Sequence, residues 1–228
     1  MQTKKLSILT EGGKSLGFGH ITRCLSIAEY FDEYGVSIEF IVDGDDSTLP
    51  ILEDHSFILI DWLNSEAVLQ RLKKSTFVLI DSLRVTKRKV QNIQKLGVNV
   101  IYIDDEKRHN FLDKGFVLDW TILSENKNYF LPKKKDVTYL LGSKYTPLRA
   151  AFKNIKQVFV SEKIQNILVS FGGSDVRNLT PAVLENLNKF FPYLKKNIVI
   201  GAGFVNNDNI KLHQDKNTTL IYNADAKK

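Results

Sequence analysis

Two short glycine-bearing turns hold the residues best suited to chemistry. The first follows a strand-like run at 6–10 and reads Leu16-Gly17-Phe18-Gly19-His20, leading into a helical pattern that carries Arg23. Glycines at a strand-to-helix turn let backbone N–H groups approach an anion, and the helix N-terminus adds a favourable dipole. Histidine changes protonation near neutrality and a positive helix end favours its neutral form, so His20 is placed to accept a proton. Arg23, one helical turn onward, is spaced to hold a phosphate by paired donors. By pattern alone a tight turn with His20 capping the helix is the open alternative. The missing third glycine separates this turn from a dinucleotide fingerprint, for which Asp43 would be the strand-end acid.

The second turn reads Ser170-Phe171-Gly172-Gly173-Ser174-Asp175. Its backbone and hydroxyl donors could receive a diphosphate, and a plain flexible turn is the alternative. One such turn per α/β unit is expected to place the pair across a cleft. Asp81, Asp104 and Asp105 each follow a strand-like run and could orient water, bind hydroxyl groups or hold His20, although strand-end aspartates also serve as turn and cap residues. His55, His109 and His213 lack metal-ligand spacing. Cys24 is the one cysteine, which excludes an internal disulfide and a cysteine-built zinc site. Neither metal nor cofactor is expected.

The elements that must position these residues alternate. Strands are expected at 6–10, 38–42, 57–60, 77–80 and 98–103, with helices at 21–34, 65–74 and 86–96. Such alternation with short links implies a parallel sheet covered by helices, with ligands beyond the carboxyl ends of the strands. Periodicity fades from Asn110 to Pro147, and the polar, basic stretch 126–135 places the domain linkage there or slightly later. A second run follows, with strands at 164–170, 197–200 and 218–222 and a helix at 181–191, for which Thr180 is the expected N-cap. The fold class is therefore α/β with two Rossmann-like domains, 1–150 and 151–228. Three strands and one clear helix make the second domain either small or truncated.

Composition narrows the function classes. At 228 residues, with 43% hydrophobic and 25% charged, the chain can bury a core, which excludes bulk disorder. No stretch nears the roughly 20 apolar residues of a spanning helix, and Met1-Gln2-Thr3-Lys4-Lys5 runs straight into a strand, so a cytoplasmic protein without a membrane span is expected. The net charge of +6 favours anionic partners. Lys133-Lys134-Lys135 and Lys195-Lys196 form no stripe interleaved with aromatics, so nucleic acid is not an expected partner. Nothing in the sequence assigns an oligomeric state.

The ordered set Gly17-Phe18-Gly19-His20-Ile21-x-Arg23, Leu79-Ile80-Asp81, Ile103-Asp104-Asp105-Glu106, Gly142-x-x-Tyr145-x-x-Leu148-Arg149-x-x-Phe152 and Gly172-Gly173-Ser174-Asp175-x-x-Asn178-Leu179 resembles the UDP-diacetamido-trideoxy-altropyranose hydrolases of bacterial pseudaminic acid biosynthesis and related spore-coat polysaccharide proteins. The resemblance implies a GT-B-like fold and release of UDP from a UDP-sugar by water attack at the anomeric carbon. It implies His20 as general base, Gly17 and Gly19 beside the sugar and phosphates, Gly172, Gly173 and Ser174 as a diphosphate loop, and Tyr145 and Arg149 near the domain crossover. Where that family carries an aromatic residue after the aspartate, this chain has Ser82-Leu83. A GT-B-like glycosyltransferase and a truncated, non-catalytic nucleotide-sugar-binding protein are the competing expectations.

Overall fold

The computed structural model describes residues 4–105, 111–126, 132–152, 160–205, 207–222 and 224. Glu106, His109 and half of the polar, basic stretch expected as the linkage (127–131) lie outside the described residues. The chain divides into two compact units, Met1–Ala150 and Ala151–Lys228.

In the first unit, short and almost wholly apolar runs become strands, the central ones buried on both faces. These are β1 (Lys5–Gly12), β2 (Ser37–Gly44), β3 (Phe57–Leu59), β4 (Phe77–Ile80) and β5 (Asn99–Ile103), interleaved with α1 (Gly19–Glu33), α2 (Leu49–Leu52), α3 (Ala67–Leu72) and α4 (Lys87–Gln94). Two further strands, β6 (Gly115–Asp119) and β7 (Val137–Leu141), complete the sheet. They occupy the region where the sequence was expected to lose its pattern. Each is a five-residue run bordered by polar segments, and among the described residues no helix of the usual length separates it from its neighbour to mark it.

All seven strands are parallel, in the order β3-β2-β1-β4-β5-β6-β7. The direction of winding reverses between β1 and β4, and such a switch opens a crevice at the carboxyl ends of the two strands. Successive side chains alternate between faces. One face packs Leu6, Ile8, Leu79 and Ile103 against Ile21, Cys24, Ile27 and Ala28 of α1. The other packs Leu9, Ile80 and Tyr102 against Val68 and Leu72 of α3 and Val90 and Ile93 of α4. The Trp62 indole, fully buried, donates to the Thr10 carbonyl at 2.8 Å and closes this second layer just below the carboxyl edge.

The second unit holds β8 (Asn166–Ser170), α5 (Thr180–Phe190), β9 (Lys195–Ile200), α6 (Asn207–Leu212) and β10 (Thr218–Tyr222), with parallel strands ordered β10-β9-β8. Its core joins Val169, Ile198 and Ile200 to Leu184, Phe204 and Ile210. Helix α6 adds to the single helix expected. Thr180 is the first residue of α5 rather than its cap, because the capping acceptor is the Asp175 carboxylate, which takes the Leu179 and Thr180 N–H groups at 2.9 Å each.

Lys196 of β9 is fully buried, with its ammonium 2.9 Å from Asp215. An ammonium stranded without its partner in an apolar layer is costly. Asp215→Ala is therefore expected to lower stability in urea denaturation by about 3 kcal/mol, and adding Lys196→Met is expected to restore most of the loss.

Candidate functional site

The carboxyl edge of β1 leads into a small closed loop. Gly13 N–H donates to the Gly17 carbonyl at 2.9 Å and Gly17 N–H to the Gly13 carbonyl at 2.7 Å, with Gly17 in the left-handed region (φ +75°) that suits glycine. The chain then enters α1 through Phe18, with no side-chain cap on the helix. His20 is the second residue of α1, and Arg23 and Cys24 lie one turn on, on the same side.

Opposite them, Asp81 immediately follows β4 and is 1% exposed. Two residues earlier Leu79 packs on the α1 side of the sheet, so by alternation the Asp81 carboxylate faces α1. His20 Nδ1 lies 2.9 Å from Asp81 Oδ1. Arg23 Nε donates to Asp81 Oδ2 at 2.6 Å, Arg23 Nη2 donates to Asp81 Oδ1, and Arg23 Nη1 donates to Asp105 Oδ2 at 2.6 Å. The guanidinium also lies 5.4 Å from the centre of the Trp120 ring. The buried Cys24 thiol points at Asp81 Oδ2 from 3.4 Å. Burial and the adjacent carboxylate push that thiol well above its ordinary range, which leaves it an inert, packed group.

These contacts fix the chemistry of the imidazole. Arg23 Nη2 also lies 2.9 Å from His20 Nδ1, yet a guanidinium only donates and a carboxylate only accepts. Because Arg23 Nη2 is already committed to Asp81, the consistent arrangement has Nδ1–H donating to Asp81. Nε2 is then left with a lone pair. The His20 side chain is 14% exposed. A buried carboxylate holding Nδ1–H in this way orients the ring and presents the Nε2 lone pair, the arrangement of hydrolase triads.

The strand-end residues separate by face. Asp105 joins the cluster through Arg23, whereas its neighbour Asp104 is fully buried at the end of β5. Arg23 was expected to hold a phosphate. Its Nε, Nη1 and Nη2 are instead directed at Asp81 and Asp105, and those carboxylates strengthen its hold on its proton against the effect of burial. Asp43, the dinucleotide candidate, is ion-paired with Arg84 at 2.9 Å. Tyr145 packs at the edge of the α1-side core, and neither it nor Arg149 is hydrogen-bonded to the His20 cluster among the described residues. His55 packs against Phe40 with the rings tilted, and His213 accepts a hydrogen bond from Asn188 through its carbonyl. Among the described residues no group of three His, Cys, Asp or Glu could hold a metal ion.

In the second unit, Gly172 is left-handed (φ +75°) and the Gly173 carbonyl accepts from Gly203 N–H at 2.8 Å. A Cβ on Gly201 would stand 2.4 Å from that carbonyl oxygen, so the loop after β9 lies directly against the loop after β8. Ser174 packs on Gly203. Asp175 differs from expectation. Both its oxygens serve α5, one taking the Leu179 N–H and the other the Thr180 N–H and hydroxyl, and these bonds outweigh burial to keep its carboxyl below the usual range.

Sequence reasoning missed Glu11, Arg84 and Trp120. Glu11 had a signal, since it follows Thr10 directly at a strand end. The pairing of Arg84 with Glu11, 73 positions away, had none.

No protein-family model matches the chain. It is 31% identical over 215 residues to the uncharacterized protein MJ1062 of Methanocaldococcus jannaschii, covering 90% of this chain and 44% of that protein. It is 24% identical over 200 residues to the pseudaminic acid cytidylyltransferase and UDP-2,4-diacetamido-2,4,6-trideoxy-beta-L-altropyranose hydrolase of Helicobacter pylori, covering 84% of this chain and 35% of that protein. The chain thus spans less than half the length of these two relatives. Among solved structures it is similar to Acinetobacter baumannii MurG (TM-score 0.55, 16% identity, 96% of this chain and 67% of that one). It is also similar to Anabaena HepE in complex with UDP-glucose (TM-score 0.52, 12% identity, 97% of this chain and 70% of that one). At these identities the likeness defines the fold: two Rossmann-like parallel α/β units of GT-B type, the second with three strands.

Burial alone would raise the Asp81 carboxyl, but hydrogen bonds from Arg23 and His20 hold it below the ordinary carboxylate range. The stability it contributes is therefore complete above its unfolded value of about 3.9 and is lost as pH falls through the lower folded value. Unfolding free energies measured between about pH 5 and 2 are expected to fall less steeply in Asp81→Asn than in the parent chain.

Proposed function

We propose that the chain is a nucleotide-sugar enzyme that releases UDP from a UDP-diacetamido-trideoxyhexose by water attack at the anomeric carbon with inversion, a step of surface-polysaccharide biosynthesis. The observation that carries the reading is the His20–Asp81–Arg23 cluster at the switch point between β1 and β4. The named hydrolase of Helicobacter pylori, at 24% identity, supports the substrate class, and the crevice position agrees with where α/β sheets take ligands.

In this reading His20 Nε2 takes a proton from water as the water oxygen bonds to the anomeric carbon. The bond from that carbon to the diphosphate oxygen breaks, and its electron pair leaves with UDP. Asp81 holds Nδ1–H throughout, so the charge that develops on the imidazole is met by a carboxylate already in place. Arg23 acts as a positioning residue that fixes Asp81 and draws in Asp105. In the second unit, the turn Gly172-Gly173-Ser174 carries backbone and hydroxyl donors of the kind that hold a diphosphate. Gly17 and Gly19, where a Cβ would meet nothing within 4 Å, leave room for a ligand beside His20. No cofactor is assigned to the reaction.

A UDP-release assay over a panel of UDP-sugars, with and without alcohol acceptors, tests the reading. His20→Asn is expected to lower kcat by about 10² to 10⁴ while UDP affinity by titration stays within about twofold. Turnover unchanged by that substitution would remove His20 as the base. Release that depends on an added acceptor would assign a glycosyltransferase instead, with the same imidazole deprotonating the acceptor hydroxyl. UDP binding with no release from any donor would leave a nucleotide-sugar-binding protein.

The second unit makes a separate prediction. Gly201→Ala drives a methyl group into the Gly173 carbonyl, so UDP affinity is expected to fall about tenfold or more, measured by calorimetry, with the far-ultraviolet spectrum unchanged.

A further inference from the structure

A second buried carboxylate stands beside the His20 cluster, on the other face of the sheet. Glu11, the penultimate residue of β1, is 1% exposed. Its Oε2 accepts from the Ser82 hydroxyl at 2.6 Å and from Arg84 Nε at 3.1 Å, and its Oε1 accepts from Leu83 N–H at 3.0 Å. The Ser82 oxygen in turn accepts from the N–H groups of Arg84 and Val85 at 3.1 Å each. Arg84 extends across to Asp43. Four consecutive residues, 82–85, are thereby tied to the end of β1.

That segment continues directly from Asp81, the partner of His20. Side chains alternate across the sheet, so Asp81 serves α1 on one face while Ser82 and Glu11 meet on the other. The segment so fixed displays Leu83, 47% exposed, and Arg84, whose side chain is 44% exposed. A carboxylate withdrawn from water is retained only where its hydrogen bonds are nearly complete. Here that expensive group orders a short loop, continuous with Asp81, whose outward side chains are an aliphatic and a guanidinium.

We infer that Glu11 is a positioning residue for substrate binding: it holds the 82–84 loop as a rigid lip of the His20 site, on which Leu83 and Arg84 meet the substrate. The inference rests on the reading of His20 as the base. Because the His20–Asp81–Arg23 contacts lie on the opposite face and do not pass through Glu11, loosening the lip affects binding and leaves the chemical step in place.

Glu11→Gln keeps the volume but turns one acceptor arm into a donor. It cannot accept from Leu83 N–H, Ser82 and Arg84 Nε together. The expected result is a KM raised about tenfold with kcat within about twofold, and faster hydrogen exchange at the Leu83 amide in the uncomplexed protein. Ser82→Ala, which removes one of the ties, moves both readouts in the same direction by less and guards against a folding defect in the first variant. Unchanged KM and unchanged Leu83 exchange in Glu11→Gln would overturn the inference, as would a fall in kcat at constant KM. His20→Asn run in parallel separates the two readings. A dead His20 variant beside a Glu11 variant with parental KM and exchange removes the lip alone, whereas an active His20 variant removes the base.

Discussion

The first unit is organised around one buried negative charge. Asp81 sits at the carboxyl end of a central strand with almost no access to water, where an ionised carboxylate is tolerated only if it is paired and hydrogen-bonded. Helix α1 meets that demand with three consecutive-turn residues, His20, Arg23 and Cys24, all aimed at the same two oxygens. The angle at which α1 leaves β1 is therefore set by electrostatics as well as by packing. The glycine loop follows from it, since the chain must reverse between Gly13 and Gly17 to deliver His20 to that point. Apolar contacts of Ile21, Ile27 and Ala28 then seal the helix against the sheet.

Much of this was legible in the sequence. Strands buried on both faces write themselves as unbroken apolar runs, which is why β1, β2, β4 and β5 stand out, and the glycine spacing before His20 marks a strand-to-helix turn. β6 and β7 were less visible because Gly115–Asp119 and Val137–Leu141 are short and lie among polar residues. The pairing of Arg23 with two carboxylates was hidden for a different reason. An arginine one turn into a helix looks free for an anion until the strands opposite it are known, and Asp81 and Asp105 are 58 and 82 positions away. The choice between Asp104 and Asp105 turns on which face each takes, and a run of two aspartates carries no phase of its own.

The glycines of the second unit have a similar history. Gly172-Gly173 was noticed as a flexible turn suited to a diphosphate, but Gly201 and Gly203 were not, although they are what allows the turn its place. Backbone-to-backbone approach at 2.4 Å from an imagined Cβ is a constraint between two loops, and neither loop alone reveals it. Glu11 belongs to the same class. It reads as one more polar residue after a strand until Ser82, Leu83 and Arg84 are brought to it.

The commitment of Arg23 to two carboxylates also gives the crevice a polarity. Counting Arg23 against Asp81 and Asp105 leaves those three side chains with a formal charge of −1. Arg84 against Glu11 and Asp43 leaves another −1 on the other face of the same edge. The chain as a whole is positive, yet each of these two ion-pair groups keeps a formal negative charge. A ligand with one charged end and one uncharged end would be turned by this field before any contact forms, entering with its neutral end toward His20. The ion pairs that hold the histidine would then also act as a compass for whatever approaches it.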